Sequence, residues 1–205
     1  AVPANLSPIR AITVADTDND GVLDLLVGQA DGIIIRISDK DEGQDWETEE
    51  IARVTNAPNH LAGEFRLRVA DVDNNSGNDL LLTPGISPAA GNVTGALVWL
   101  SDEQGKFKLL DQRVPTPQVF EIAELNGDGR LDLLGLSAEG QPVQAINHGT
   151  KNYHWQVIRP RAAQATGDQR INSFGVGGEM EIHPGLLFQK QPITGPFVHF
   201  GLGDQ

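Results

Sequence analysis

Short apolar runs separated by turn residues recur along the chain and predict an all-β fold. Alternating apolar and polar positions rich in β-branched residues are typical of strands, and no stretch shows the 3.6-residue apolar period of a helix. The runs form three units of four predicted strands each. These lie at 9–15, 23–28, 33–38 and 46–52, then 65–70, 79–83, 96–101 and 106–112, then 119–123, 131–137, 143–147 and 153–158.

One acidic phrase follows the first predicted strand of every unit. It reads D-T-D-N-D-G-V-L-D from Asp16, D-V-D-N-N-S-G-N-D from Asp71 and E-L-N-G-D-G-R-L-D from Glu124, and two leucines follow each copy. The copies begin 55 and 53 residues apart. A period of this length indicates a repeated multi-strand unit such as a propeller blade.

The spacing of oxygen-bearing residues in the phrase predicts calcium binding. Positions 1, 3, 5 and 9 offer side-chain oxygens and position 7 offers a backbone carbonyl, which together can surround a hard cation. Up to three Ca²⁺ ions are expected, with affinity falling from the first loop to the third as the ligand charge falls. The predicted ligands are Asp16, Asp18, Asp20, Val22 and Asp24; Asp71, Asp73, Asn75, Gly77 and Asp79; and Glu124, Asn126, Asp128, Arg130 and Asp132.

The phrase also has two features in common with other kinds of loop. An EF-hand loop needs a glutamate at position 12 and flanking helices, but position 12 is Val27, Leu82 or Gly135 and the flanks are β-rich. Asp, Asn and Gly also favour ordinary turns, with Gly21 expected to take a positive φ. Three copies in register, each followed by the same leucines, favour calcium over simple turns.

Charge agrees with a cation-binding protein. The formal net charge is −13, and ten of the 28 acidic residues fall within the 27 positions of the three phrases. Acids this close repel one another unless a cation lies among them. The acidic balance argues against binding to nucleic acid or to anionic membranes, and no apolar run reaches the roughly 20 residues that span a bilayer. Cysteine is absent, so disulfides do not indicate a compartment.

The repeats resemble the FG-GAP/VCBS repeats of integrin-like β-propellers. The resemblance covers roughly residues 9–160 and depends on D-x-D-x-D-G-x-x-D-L-L and its variants, with departures at Asn75, Ser76 and Glu124. It implies four-stranded blades in which each acidic loop joins the first two strands and holds calcium. We therefore expect a partial β-propeller of about three blades, at 9–64, 65–117 and 118–160.

The C-terminal segment carries a different pattern. R-I-N-S-F-G-V-G-G-E-M-E-I from Arg170, G-L-L-F-Q from Gly185 and H-F-G-L-G from His199 resemble the ASPIC/UnbV module that often follows VCBS repeats. The resemblance implies a small β module at 161–205 after a repeat domain at 1–160. Three blades fall short of the roughly four to eight that close a propeller, and the family sequence usually continues past H-F-G-L-G. The chain is therefore expected to be part of a longer protein, or to have its missing edges supplied by other chains.

These features predict a non-catalytic, calcium-binding interaction module for adhesion, scaffolding or subunit assembly. We expect a secreted, periplasmic or cell-surface location, because such sites work best in millimolar calcium, and the start at Ala1 suggests a mature or trimmed chain. Expected partners are other protein chains or the remainder of its own chain, pairing through blade edges and segment 197–202. The alternatives are an accessory propeller of an extracellular hydrolase or oxidoreductase, or a glycan-binding module using Trp46, Trp99 or Trp155.

Several catalytic and binding patterns are missing from the sequence. It has no G-x-S-x-G elbow and no cysteine nucleophile. Its five histidines lack the close spacing of a zinc site, and the glycines at 175–178 lack the strand–loop–helix context of a phosphate-binding loop. No catalytic residue is therefore predicted.

Overall fold

The computed structural model describes residues 6–55, 65–84, 95–102, 104–111, 114, 118–137, 139–162 and 173–204. Every regular element in these ranges is a β-strand, and every strand pair is antiparallel. The predicted all-β class is thereby confirmed. The strands are β1 Ile9–Ala15, β2 Asp24–Gln29, β3 Ile33–Asp39, β4 Trp46–Arg53, β5 Phe65–Ala70, β6 Asp79–Pro84, β7 Leu97–Ser101, β8 Phe107–Leu109, β9 Gln118–Ala123, β10 Asp132–Leu136, β11 Pro142–Ala145, β12 His154–Ile158, β13 Glu179–Ile182, β14 Gln189–Pro192 and β15 Val198–Gly203.

The first eight strands form two four-stranded sheets in simple sequence order. Sheet I is β1-β2-β3-β4 and sheet II is β5-β6-β7-β8. Sheet III has three strands, with β10 between β9 and β11. The remaining strands form two pairs, β12 with β15 and β13 with β14. Within the described ranges, none of these sheets closes into a barrel.

The sheets stack face to face in chain order, with sheet II in the middle. One apolar cluster joins sheets I and II and includes Leu26, Leu80 and Trp99. A second joins sheets II and III and includes Leu81 and Val119. Successive residues of a strand point to opposite faces, so consecutive leucines on β6 serve both interfaces. Each buried leucine contributes about 1.5–3 kcal/mol to folding.

The third unit differs from the prediction of four paired strands. The segment predicted as its fourth strand forms β12, but β12 pairs with β15 from the C-terminal segment rather than with β11. Apolar packing accounts for this, because Ile158 joins Val198, Phe200 and Ile193 in a third cluster. The predicted boundary near residue 160 therefore separates two strands that hydrogen-bond to each other.

The same pairing occupies one edge of segment 197–202, which was predicted to contact other chains. Val198 and Phe200 are buried, and β15 is paired with β12 along its length. Phe197 is 59 % exposed and remains available to a partner. Residues 168–172, which open the predicted C-terminal motif, lie outside the described residues, as does Gln112 at the end of the eighth predicted strand.

The central place of sheet II gives a direct test of the stack. Leu80→Ala should lower the free energy of unfolding by about 2–5 kcal/mol, because Leu80 is fully buried between sheets I and II. Leu186→Ala is the matched control: its side chain is fully exposed, so a change within about 0.5 kcal/mol is expected. Chemical denaturation measures both variants. Equal unfolding midpoints for them would contradict the packing described.

Candidate metal centres

Each acidic loop joins the first two strands of its sheet and closes in the same way. The alanine before the loop pairs with the aspartate at position 9, as Ala15 with Asp24, Ala70 with Asp79, and Ala123 with Asp132. Positions 4 and 6 take a left-handed backbone in all three copies: Asn19 and Gly21, Asn74 and Ser76, Gly127 and Gly129. The positive φ expected at Gly21 is confirmed, with a value of 83°.

The aspartates at position 9 fasten each loop to its sheet. Both carboxylate oxygens of these buried residues accept hydrogen bonds. One oxygen accepts from the backbone N–H of position 2, as Val72 donates to Asp79 at 2.8 Å. The other accepts from a residue at or near the end of the third strand, as Ser38 Oγ donates to Asp24 at 2.6 Å. Asp132 repeats this with the N–H groups of Leu125 and Asn147. Position 9 therefore has a structural role besides its predicted role as a ligand.

Position 5 forms the tight turn that carries position 7. Asp20, Asn75 and Asp128 each accept a hydrogen bond from the backbone N–H two residues later, on Val22, Gly77 and Arg130. Such side-chain turns explain the choice of Asp and Asn at this position. The role of the carbonyls of Val22, Gly77 and Arg130 as metal ligands stays a prediction.

The first loop brings three carboxylates together. Oxygens of Asp16, Asp18 and Asp24 lie within 4.8 Å of one another. Asp16 is fully buried; Gly21 N–H donates to its Oδ2 at 3.1 Å, while its Oδ1 has no hydrogen-bond partner among the described residues. Asp18 Oδ1 is likewise unpartnered. Burial raises the pKa of Asp16 to about 6, and the charges of Asp20 and Asp18 raise it too. Anionic oxygens without partners make this group suited to a cation.

Two basic side chains border the first loop. Arg36 Nη1 lies 3.2 Å from Asp18 Oδ2, and Lys40 Nζ lies 3.7 Å from Asp20 Oδ2. Asp20 lies outside the group of three and is about one third exposed. Part of the negative charge of this loop is therefore already compensated by the protein.

The second loop is buried more deeply. Oxygens of Asp71, Asp73 and Asp79 also lie within 4.8 Å of one another, and Asp71 and Asp79 are almost inaccessible. Burial raises the pKa of Asp71 to about 7, and the charge of Asp73 raises it further. Burial followed by the charges of Asp71 and Asp73 raises the pKa of Asp79 well above its usual range. None of the ion pairs found in the described ranges involves these three acids.

The third loop has no comparable group of three acids in the described structure. Glu124 turns back into its own loop, where its Oε1 accepts from the backbone N–H groups of Asn126 and Asp128 at 3.0 and 3.2 Å. Asn126 and Asp128 are exposed and hydrogen-bond to each other. The backbone N–H of Arg130 lowers the pKa of Asp128. The longer side chain at position 1 thus accepts hydrogen bonds from the backbone of its own loop. The third loop lacks the group of three close carboxylates seen in the other two loops, where the predicted third ion would bind.

Some site features were missed by sequence reasoning. Position 4, which has a left-handed backbone, is Asn, Asn and Gly in the three copies. These residues tolerate positive φ best, so a comparison of the three repeats could have identified this conformation. Arg36 and the contacts made by the C-terminal segment join residues that are distant in sequence, and no local pattern indicates them. Trp99 is buried in the core, whereas Trp155 stacks on His199.

The raised pKa values predict an unusual pH dependence without metal. The pKa of Asp71 is about 7 in the folded chain, whereas its reference value, taken for the unfolded chain, is 3.8. Between these two pH values Asp71 is protonated in the folded state and ionised in the unfolded state. Stability in EDTA should therefore fall as pH rises from about 4 to 7. The lowered pKa of His199 acts in the opposite direction. Thermal melts from pH 4 to 8 in EDTA should show a smaller fall in melting temperature for Asp71→Asn than for the unchanged chain. Equal pH profiles for the two proteins would refute the assignment of this pH dependence to Asp71.

Two buried groups of three aspartates could thus hold a metal ion, and their chemistry alone does not identify it. In the described residues, no helix is long and apolar enough to cross a lipid bilayer. No protein-family model matches the chain, and no curated protein matches it. The geometry and burial of the two groups therefore carry the functional argument.

Proposed function

We propose that the chain is a calcium-binding interaction module of an extracellular protein, with cations bound at the first and second acidic loops. The observation that carries the proposal is the convergence of three carboxylates in each loop, with Asp16 and Asp71 buried at the centre. Buried carboxylates repel one another strongly in a medium of low dielectric constant, and a divalent cation reverses that energy. In the first loop the unpartnered Oδ1 of Asp16 gives such a cation a vacant donor.

Calcium is favoured over other metals by the chemistry of the donors. Both groups offer only carboxylate oxygens, with no histidine or cysteine in either, whereas zinc prefers nitrogen and sulfur. Calcium accepts six to eight oxygens in flexible geometry, while magnesium demands near-ideal octahedral ligands. Asp16, Asp18 and Asp24 would hold one ion and Asp71, Asp73 and Asp79 the other. An ion at Glu124, Asn126, Asp128 and Asp132 would be the weakest.

The arrangement of the sheets supports a partial propeller of about three blades. Sheets I, II and III stack in chain order, and their first strands β1, β5 and β9 line a common cavity of about 640 Å³. First strands that face a shared axis are a property of propeller blades. The FG-GAP/VCBS resemblance of the repeats and the ASPIC/UnbV resemblance of the C-terminal segment imply the same architecture.

The role we propose is non-catalytic, in adhesion, scaffolding or subunit assembly. Exposed apolar side chains on the first strand, including Ile9, Ile12 and Val14, offer surface to another chain or to the remainder of this one. The alternative of an accessory propeller on an extracellular enzyme uses the same surface. A glycan-binding role is less favoured, because Trp99 is in the core.

Calcium should stabilise the folded chain. A ligand that binds only the folded state adds RT ln(1 + [L]/Kd), which is about 2 kcal/mol per site at 2 mM calcium for a Kd of about 0.1 mM. For a chain of this size the melting temperature should rise by about 4–8 °C per occupied site. Scanning calorimetry in calcium and in EDTA measures this change. Superimposable melts would rule out the proposed function.

Single substitutions should assign the ions to loops. Asp18→Ala and Asp73→Ala should each remove one ion, because each deletes a member of one triad. Asp128→Ala is the matched control in the third loop, and it should leave the two strongest ions in place. Native mass spectrometry counts the ions. Full occupancy in both Asp18→Ala and Asp73→Ala would refute the ligand assignment.

A further inference from the structure

The C-terminal segment, defined here as residues 173–204, contacts position 6 of all three acidic loops. Lys190 Nζ donates to the carbonyl of Gly21 at 3.0 Å. Ser76 Oγ donates to the carbonyl of Gly201 at 2.8 Å. His199 Nε2 lies 3.0 Å from the carbonyl of Gly129. The segment therefore lies across the loop ends of sheets I, II and III.

Strand β14 passes between the first two loops and presents different chemistry to each. Successive strand residues point to opposite faces. Phe188, which immediately precedes the strand, and Lys190 contact Gly21 of the first loop, whereas Gln189 between them contacts Asp71 of the second. The first loop thus receives an ammonium group, and the second receives a neutral amide.

The contact with the second loop is close and fully enclosed. Gln189 is completely buried, and its Nε2 lies 3.5 Å from Asp71 Oδ2. Gly203 N–H donates to the carbonyl of Asn74 at 2.9 Å. A Cβ atom at Gly201 would lie 2.0 Å from Asp71 Oδ2, so only glycine permits this approach. The C-terminal segment forms one wall of the second acidic site.

The amide of Gln189 has an unsatisfied oxygen at this wall. Gln189 Oε1 and Asn74 Oδ1 are buried and have no hydrogen-bond partner in the described structure. The 3.5 Å separation from Asp71 exceeds that of a good N–H···O bond, roughly 2.7–3.2 Å. The separation does match the distance between two adjacent ligands of one calcium ion. Two oxygens that each lie about 2.4 Å from the ion, with a right angle between them at the ion, are about 3.4 Å apart. The nitrogen and oxygen of an amide exchange places by rotation about one bond.

We propose that Gln189 is an additional oxygen ligand of the second site, contributed by the C-terminal segment to Asp71, Asp73 and Asp79. This inference rests on the proposed function, since it needs a cation at the second loop. A cation bound there joins the repeat sheets to strand β14. Cation binding and docking of the C-terminal segment are then linked, and each strengthens the other by the same factor.

The test uses the full 205-residue chain carrying Asp18→Ala, so that the second site dominates calcium binding. Calorimetric titration with CaCl₂ compares three further changes: Gln189→Leu, Gln189→Glu and Gln191→Leu. Gln189→Leu removes the oxygen at nearly constant volume and should weaken binding about 10–100-fold. Gln189→Glu should tighten binding, because it adds a charged oxygen. Gln191→Leu removes the neighbouring amide of β14, which bonds to the carbonyl of His199, and should leave Kd within about twofold.

Amide exchange at Gly203 supplies the second measurement, because this N–H reports docking of β15 on the second loop. Calcium should slow the exchange of the Gly203 amide in the parent chain, which carries Asp18→Ala alone, and should not slow it when Gln189→Leu is added. An unchanged Kd in Gln189→Leu, an equal loss in Gln191→Leu, or weaker binding in Gln189→Glu would each overturn the proposal. Failure of the proposed function is distinguishable, because the parent chain itself would then bind no calcium.

Discussion

The hydrogen bonds of the aspartates at position 9 fasten the acidic loops to their sheets. Asp24, Asp79 and Asp132 are buried, and each joins the start of its loop to the end of the third strand. Protein groups thus satisfy both oxygens of each of these aspartates, and these hydrogen bonds hold the loop to its sheet. The carboxylates at positions 1 and 3 of the first two loops are then held close together against their mutual repulsion. Such preorganisation reduces the ordering cost of binding a cation.

The loops in turn connect the sheets to one another. Asn78 of the second loop donates to the carbonyl of Asp16 in the first at 2.7 Å, and Asn74 donates to the carbonyl of Gly129 in the third at 3.0 Å. Behind them, the leucines of β6 pack against sheet I on one face and sheet III on the other. The second loop therefore contacts both neighbouring loops, and its Asp71 and Asp79 are buried. A cation there would act on the contacts between all three sheets.

The sequence predicted the strands and loops of the first two units well, because both signals are local. Alternation within β1 to β7 and the spacing of Asp16, Asp18 and Asp24 depend on neighbouring residues only. The third unit departs from the prediction for two physical reasons. Glu124 is one methylene longer than aspartate and bonds within its own loop. Strand β12 pairs with β15, from Ile158 with Val198 to His154 with Gly203, and no local pattern specifies that partner. The contact of Gln189 with Asp71 joins residues still farther apart in the sequence.

Crystallography with a calcium substitute tests most directly whether cations occupy the first and second loops. Terbium scatters anomalously and takes oxygen ligands at distances close to those of calcium, roughly 2.3–2.6 Å. We expect one anomalous peak among Asp16, Asp18 and Asp24, and another among Asp71, Asp73 and Asp79, from cations bound at both loops. Crystals soaked in terbium that show no peak at either group, or peaks only at other acidic surface residues, would contradict it.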